Sequence, residues 1–307
     1  MKKVIITVTL ILIIITAILC QSNVANYIMT NYIYKRDIVI KDANKYKKIL
    51  NANYVQETTD FEPASKKELM NILYTILNNG WDEFTFFCDT NYDSCVDDVN
   101  ELIENRDLIS NLNNFVSPYN SYNSLYVKYN NIGKITITVD KIYNNDKLKY
   151  VDNKIDEIIK EIIKPKMSDK DKIKAFHDYI INNTIYDSEN ADKLKVYQQL
   201  DNSNNSYNAY GLLTNHVSLC GGYSDSMAIF LDKMNIPNMK ISNNLHVWNL
   251  VYLDNKWLHL DLTWDDPVVN TKENLLVYNY FLITTNELQS KDNEYHSFDT
   301  QIYSEAK

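Results

Sequence analysis

Glycine and proline are scarce, five of each in 307 residues, so the chain carries no flexible or proline-rich linker. It also lacks a basic surplus. Its 31 Lys and Arg stand against 40 Asp and Glu, a net charge of −9 with a pI near 5.1. That balance argues against a general nucleic-acid partner, because phosphate neutralisation needs a basic surface. Global disorder is excluded as well, since 45% of residues are apolar and 23% charged. The length suffices for about two domains of roughly 100–200 residues each. Tyrosine is abundant at 24, which reads as coding bias ahead of a carbohydrate-binding surface.

The first twenty residues are a different material. Lys2 and Lys3 precede Val4 to Leu19, a stretch without a charge and rich in Ile and Leu. It is slightly long for a signal h-region and slightly short for a membrane span of about 20 residues. Ala17-Ile18-Leu19-Cys20 resembles a lipoprotein box, with Leu19 where a small residue belongs. Residues 1–22 are therefore expected to target a membrane, as an uncleaved anchor in preference to a cleaved or lipidated signal. Cys88 and Cys95 flank a turn-rich loop that closes a disulfide in an oxidising compartment, or they stay as two thiols. Cys220 is then left over, and an odd cysteine in an exported chain is a candidate reactive thiol.

Further along, residues 21–60 read as a polar stalk. Ser65 and Glu68 make a capping box for a helix to Leu77, with Leu69, Ile72, Leu73 and Ile76 at helical spacing. Glu83 to Cys88 reads as a strand and Val96 to Leu112 as one helix. Ser124–Tyr129 and Lys134–Tyr143 read as a hairpin around Asn130–Gly133. These make an N-terminal α+β domain, residues 23–145, without a chemical motif. Beyond it, Val151–Ile163 and a Ser168-capped segment to Asn182 are helical, the second with Ile173, Phe176, His177 and Ile180 on one face. No internal repeat is visible.

The chemistry gathers in residues 207–267. Tyr223, Met227, Phe230, Leu231 and Met234 form one face of a helix that starts at Cys220 and ends at Asn235, before Pro237. A helix N-terminus favours an anion and can lower a thiol pKa from about 8.5 into a range of roughly 3.5–7.5. Gly221 and Gly222 are read as leaving the approach to the sulfur open. Next, Leu245–Leu253 and Lys256–Thr263 flank Asp254-Asn255, a two-residue hairpin turn. With that turn, Trp248 opposes Asp261 and His246 opposes Thr263. His246 and Asp261 become diagonal neighbours, about 7–8 Å apart at the backbone and within side-chain reach. A thiol, an imidazole and an orienting carboxylate are the parts of nucleophilic acyl transfer.

Cys220-Gly-Gly-Tyr, Leu245-His246-Val-Trp-Asn-Leu-Val and Lys256-Trp-Leu-His-Leu-Asp261-Leu-Thr-Trp-Asp-Asp-Pro267 resemble the three blocks of bacterial transglutaminase-like domains. The resemblance extends from His177-Asp178-Tyr179 to Thr284. It implies a papain-like α+β core over residues 146–307, with Cys220 as nucleophile, His246 as base and Asp261 as orienter. The family holds cross-linkers, peptidases, amidases and members without catalysis. The expected substrate is therefore a protein or peptide amide at the cell surface. The alternative is a silent module that binds peptide or cell-wall glycan, using Trp248 or Tyr252 as exposed aromatics. Tyr207 and Tyr210 are candidates for the second oxyanion donor. His259 is read as a packed, hydrogen-bonded residue. No cofactor is implied, and a zinc site from Cys220, His246 and His259 lacks the usual ligand spacing. Asp265-Asp266-Pro267 reads as a turn rather than a calcium site.

Overall fold

The computed structural model describes residues 2–19, 24, 28, 38–40, 44–50, 54–89, 91–131, 133–197, 205–267, 275–292 and 294–307. The chain divides into two compact units, Met1–Asp42, Val55–Ile109 and Tyr122–Asp140 in the first, and Ala43–Tyr54, Ser110–Ser121 and Lys141–Lys307 in the second. Segments 43–54 and 110–121 thus fold with the C-terminal residues.

The first unit opens on helix α1, Lys2–Leu19. Its 18 residues rise about 27 Å, short of a bilayer core of about 30 Å. No helix among the described residues is long and apolar enough to cross a membrane, so the expected anchor is not supported. Helix α2, Lys66–Asn78, starts where the capping pattern places it, with Ser65 accepting from the Glu68 N–H. The Glu68 carboxylate returns to the Ala64 N–H, one residue before the cap. Leu69, Ile72, Leu73 and Ile76 are buried.

Strand β1, Glu83–Phe87, is followed by α3, Cys95–Glu104, and α4, Arg106–Phe115. The single helix expected over 96–112 is broken at Asn105, whose side chain leaves the first helix and caps the second by accepting from the Leu108 N–H. Cys88 and Cys95 are joined in a disulfide. Strands β2, Tyr122–Tyr129, and β3, Lys134–Lys141, complete a sheet in the order β1-β3-β2.

In the second unit, α5 (Asn145–Ile162) and α6 (Asp169–Asn182) are capped by the side chains of Asn144 and Ser168. There follow β4 (Ile185–Tyr186), α7 (Ser188–Tyr197), α8 (Ala209–Asn215), β5 (Val217–Ser218) and α9 (Cys220–Lys233). Strands β6 (Asn238–Ser242), β7 (Val247–Leu253), β8 (Lys256–Leu260) and β9 (Phe281–Ile283) make an antiparallel sheet in that order, and α10 is Thr285–Lys291.

Helix α9 lies in the middle of one core. Tyr223, Met227, Phe230 and Leu231 pack with Phe176 of α6, Val151 and Ile155 of α5, and Val251 and Leu260 of the sheet. Phe176 stacks on Phe230 at 4.1 Å. A buried cluster ties sheet to helix: Lys240 Nζ donates to Asp225 at 2.7 Å, and the Tyr143 hydroxyl donates to the other Asp225 oxygen at 2.6 Å. The hairpin register is the expected one, with Leu253 opposite Lys256 and Asp254 and Asn255 both at positive φ, as a tight two-residue turn requires.

Candidate active site

Cys220 opens α9, where the first backbone N–H groups have no acceptor inside the helix. It is a free, half-buried thiol. The two glycines after it do something other than clear the approach to the sulfur. A Cβ on Gly221 would stand 2.3 Å from the Tyr207 carbonyl oxygen, and one on Gly222 would stand 2.1 Å from Ser218 Oγ. They let the 206–208 turn and β5 pack directly under the helix start. The Leu219 N–H donates to the Ser206 carbonyl at 2.7 Å within that packing.

The hairpin brings in the other two groups, from outside its ladder. Paired residues end at Asn249 and Leu260, so the expected Trp248–Asp261 and His246–Thr263 pairs do not form. His246 lies just before β7, where the Asn243 side chain accepts its N–H at 2.9 Å and Asn243 N–H donates to its carbonyl at 3.0 Å. Asp261 lies just after β8, its N–H donating to the Tyr280 carbonyl at 3.0 Å. Asp261 Oδ1 accepts from the Thr263 and Trp264 N–H groups, at 2.9 and 3.3 Å. Its other oxygen meets His246 Nε2 at 2.5 Å. Both side chains are buried.

The electrostatics follow from that contact. Burial opposes the charged imidazolium, but the Asp261 carboxylate, its hydrogen bond and the adjacent Cys220 outweigh it and lift the His246 pKa to about 10. For Asp261 burial works the other way, and His246 and His296 hold the carboxyl far below the usual range. With Nε2 committed to Asp261, Nδ1 is the ring nitrogen left for the thiol. Tyr186 also faces the sulfur, its pKa pushed up to about 12 by burial and then by Cys220.

The remaining residues sort by their contacts. Trp248 is buried, stacks on His246 at 5.6 Å and donates from Nε1 to His259 Nδ1 at 3.0 Å. It is not the exposed aromatic a binding module would use, and Tyr252 is half-buried. His259 is packed and hydrogen-bonded, its Nε2 paired with Thr285 Oγ1 at 3.0 Å. Burial and the neighbouring His296 push its pKa down to about 3. The Tyr210 ring is taken up by Tyr150 and by Lys147 above it. Tyr207 precedes α8, its carbonyl beneath Gly221. Asp265 pairs with His177 at 3.2 Å, and Asp266 accepts from the Tyr223 hydroxyl at 2.5 Å.

Sequence reasoning missed His296. Its Nε2 lies 2.8 Å from the same Asp261 oxygen that His246 uses. The chain has five histidines, and a plain inventory of them would have flagged it, but it lies beyond the motif blocks and no periodicity marks it. His246, Asp261 and His296 together are a set of metal-ligand types. Their spacing argues otherwise. Ligand atoms on one zinc sit roughly 3.3 Å apart for bonds of about 2.0–2.1 Å in a tetrahedron, whereas 2.5 and 2.8 Å are hydrogen-bond lengths.

Residues 156–262 match the transglutaminase-like superfamily. Among solved structures, a TGase shares 22% identity over 50% of this chain and 46% of its own, at a TM-score of 0.36. A Cytophaga hutchinsonii protein provisionally described as a cysteine protease shares 13% identity over 50% of this chain and 65% of its own, at a TM-score of 0.27. This chain therefore spans only part of the length of either. No curated protein matches it.

Proposed function

We propose that this chain, transglutaminase-like over residues 156–262, is a thiol enzyme that acts on protein or peptide amides through a thioester on Cys220. The observation that carries the reading is the buried His246–Asp261 pair beside a half-buried thiol at a helix start. His246 Nδ1 takes the Cys220 proton, and the sulfur attacks the amide carbonyl. The oxyanion that forms is met by the Cys220 N–H at the start of α9. Tyr207 is the preferred second donor, because its backbone abuts that helix start and the Tyr210 ring is engaged by α5. His246 then returns the proton to the departing amine, leaving a thioester. Water or a lysine amine attacks the thioester, again losing a proton to His246, and Cys220 leaves as the thiolate, which restores its ion pair with the His246 imidazolium. Water gives a peptidase or deamidase, an amine a cross-linker.

The same proposal places the enzyme outside the cytoplasm, at the cell surface. The Cys88–Cys95 disulfide supports this, since such bonds persist in oxidising compartments. The exposed Ile5, Ile6 and Leu12 of α1 support contact with a membrane.

The test reads the thiol directly. Cys220 should alkylate with iodoacetamide at pH 6 well ahead of free cysteine, which is roughly 0.3% thiolate there for a pKa of about 8.5. Asp261→Asn should lose that advantage. Its amide must keep the oxygen on the Thr263 and Trp264 N–H groups and so turns its NH₂ toward the two imidazoles. His246 is then driven to the tautomer that points an N–H at the sulfur. Turnover, once a substrate is in hand, should fall on the order of 10⁴, as in other triad enzymes. A parent protein that alkylates no faster than free cysteine, or an Asp261→Asn variant that matches the parent, refutes the reading.

A further inference from the structure

His296 is as closely tied to Asp261 as the proposed base is. Its Nε2 lies 2.8 Å from Asp261 Oδ2 and its Nδ1 lies 2.9 Å from Asp292 Oδ2. The ring is fully buried, between Tyr280 stacked on one side and Trp248 and Trp264 edge-on. Both its nitrogens thus face carboxylate oxygens, which only accept. A neutral ring would donate at one and set a lone pair against the other, so the geometry calls for two N–H donors and an imidazolium. The placement is built in. The Asn243 side chain that fixes His246 also donates to the carbonyls of Tyr295 and Ser297, on either side of His296, at 2.8 Å each.

We propose that His296 is a positioning residue of the thiol site, held as an imidazolium between Asp261 and Asp292, whose charge competes with His246 for one carboxylate oxygen and so sets how readily His246 gives up its proton. This rests on the reading of Cys220, His246 and Asp261 as the thiol site. The charges then alternate through the cluster: Asp292, His296, Asp261, His246, Cys220. With Asp261 to itself, His246 would hold its proton too firmly to release it to a leaving amine. A second cation on the same oxygen weakens that hold, and adds direct repulsion between rings whose centroids are 5.2 Å apart. The groups that face the pair are few. His246 meets Asp261 from the end of β8, Cys220 from α9 and His296 from the C-terminal segment. His296 meets Asp261, Asp292, His246 and the deprotonated His259 of β8.

Iodoacetamide alkylation of Cys220, followed within seconds of a pH jump, should rise in two steps. The upper one reports loss of the His246 proton, near pH 10. His296→Gln keeps an amide donor on Asp261 but removes the charge. The upper step should then move up by about one pH unit, the size expected when one neighbouring charge is lost. Asp292→Asn leaves His296 in place without the negative charge beside its second proton, and should move the step in the same direction by less. A merely structural role would lower the melting temperature and leave the step where it is. Upper steps unmoved in both variants overturn the proposal. Should His296→Gln fail to fold, Asp292→Asn decides alone, a rise supporting the proposal and an unchanged step overturning it. A parent with one ordinary thiol step overturns the thiol site itself, and the His296 proposal with it.

Discussion

Gly221→Ala should reverse an ordinary rule. Alanine in place of a helical glycine gains as much as about 1 kcal/mol. At this position the new Cβ would stand 2.3 Å from the Tyr207 carbonyl oxygen and 3.2 Å from its carbon. Both are main-chain atoms, so no rotamer change relieves the contact. The turn beneath cannot yield freely either, because Ser206 accepts from the Leu219 N–H at 2.7 Å and from Ser218 Oγ at 3.0 Å. Overpacking of this kind costs about 1–3 kcal/mol, and the pinned turn argues for the upper end. After the propensity gain, the net loss is about 2 kcal/mol, or roughly 4–8 °C in melting temperature for a unit of this size. Gly222→Ala supplies the contrast. Its closest contact, at 2.1 Å, is the Ser218 hydroxyl rather than backbone, so Ser218→Ala in the same chain should restore more of its stability than of that lost in Gly221→Ala, where it removes one pin of the turn and leaves the carbonyl in place. Thermal melts of the single and double variants, with Cys220 alkylation as a second readout, make the measurement. A Gly221→Ala protein that melts at or above the parent refutes the packing argument and returns the glycines to the role of clearing access to the sulfur.

Two further outcomes follow from the charges and the disulfide. The folded pKa of His259 is about 3, below the 6.5 of the unfolded chain, so its contribution is full above about pH 6.5 and is lost as pH falls toward 3. By pH 4 that loss is about 3 kcal/mol. The melting temperature of His259→Gln should fall less steeply than the parent's between pH 6.5 and 4, and parallel curves would sink the assignment. Protease added to intact cells should remove residues 146–307, and full protection until lysis would defeat the surface location.

How much of this was legible depended on the range of the interaction that sets each feature. Helix α9 was readable because its apolar face repeats along the chain, and the β7–β8 register because Asp254-Asn255 admits one tight turn. Helices α3 and α4 read as one because apolar spacing runs through Asn105, while the break is made by one side-chain cap. The role of Gly221 and Gly222 was invisible, since the carbonyl and hydroxyl that need their missing Cβ atoms come from positions 207 and 218. Strand β6 escaped notice: Asn238-Met-Lys-Ile-Ser alternates poorly, and Lys240 is buried only because Asp225 awaits it on α9. The role of His296 was hidden for the same reason, although a count of the histidines shows the residue itself. What recruits it is one oxygen, 35 positions earlier in the chain.

The same contrast explains why the ladder stops where it does. Had β7 and β8 continued, His246 and Asp261 would sit as diagonal neighbours about 7–8 Å apart at the backbone, their N–H groups committed to strand partners. Ending the β7–β8 pairing at Asn249 and Leu260 frees both from that ladder, and local acceptors replace the lost ladder bonds: Asn243 for His246 and the Tyr280 carbonyl for Asp261. The 2.5 Å contact is then set by two short turns instead of by strand spacing. Asp261 serves in both. Its Oδ1 holds the turn through Thr263 and Trp264, so that Oδ2 alone is presented to the imidazoles. One carboxylate thereby couples the local fold to the chemistry, and two histidines must share its single free oxygen. That sharing is what makes the hold on the His246 proton adjustable.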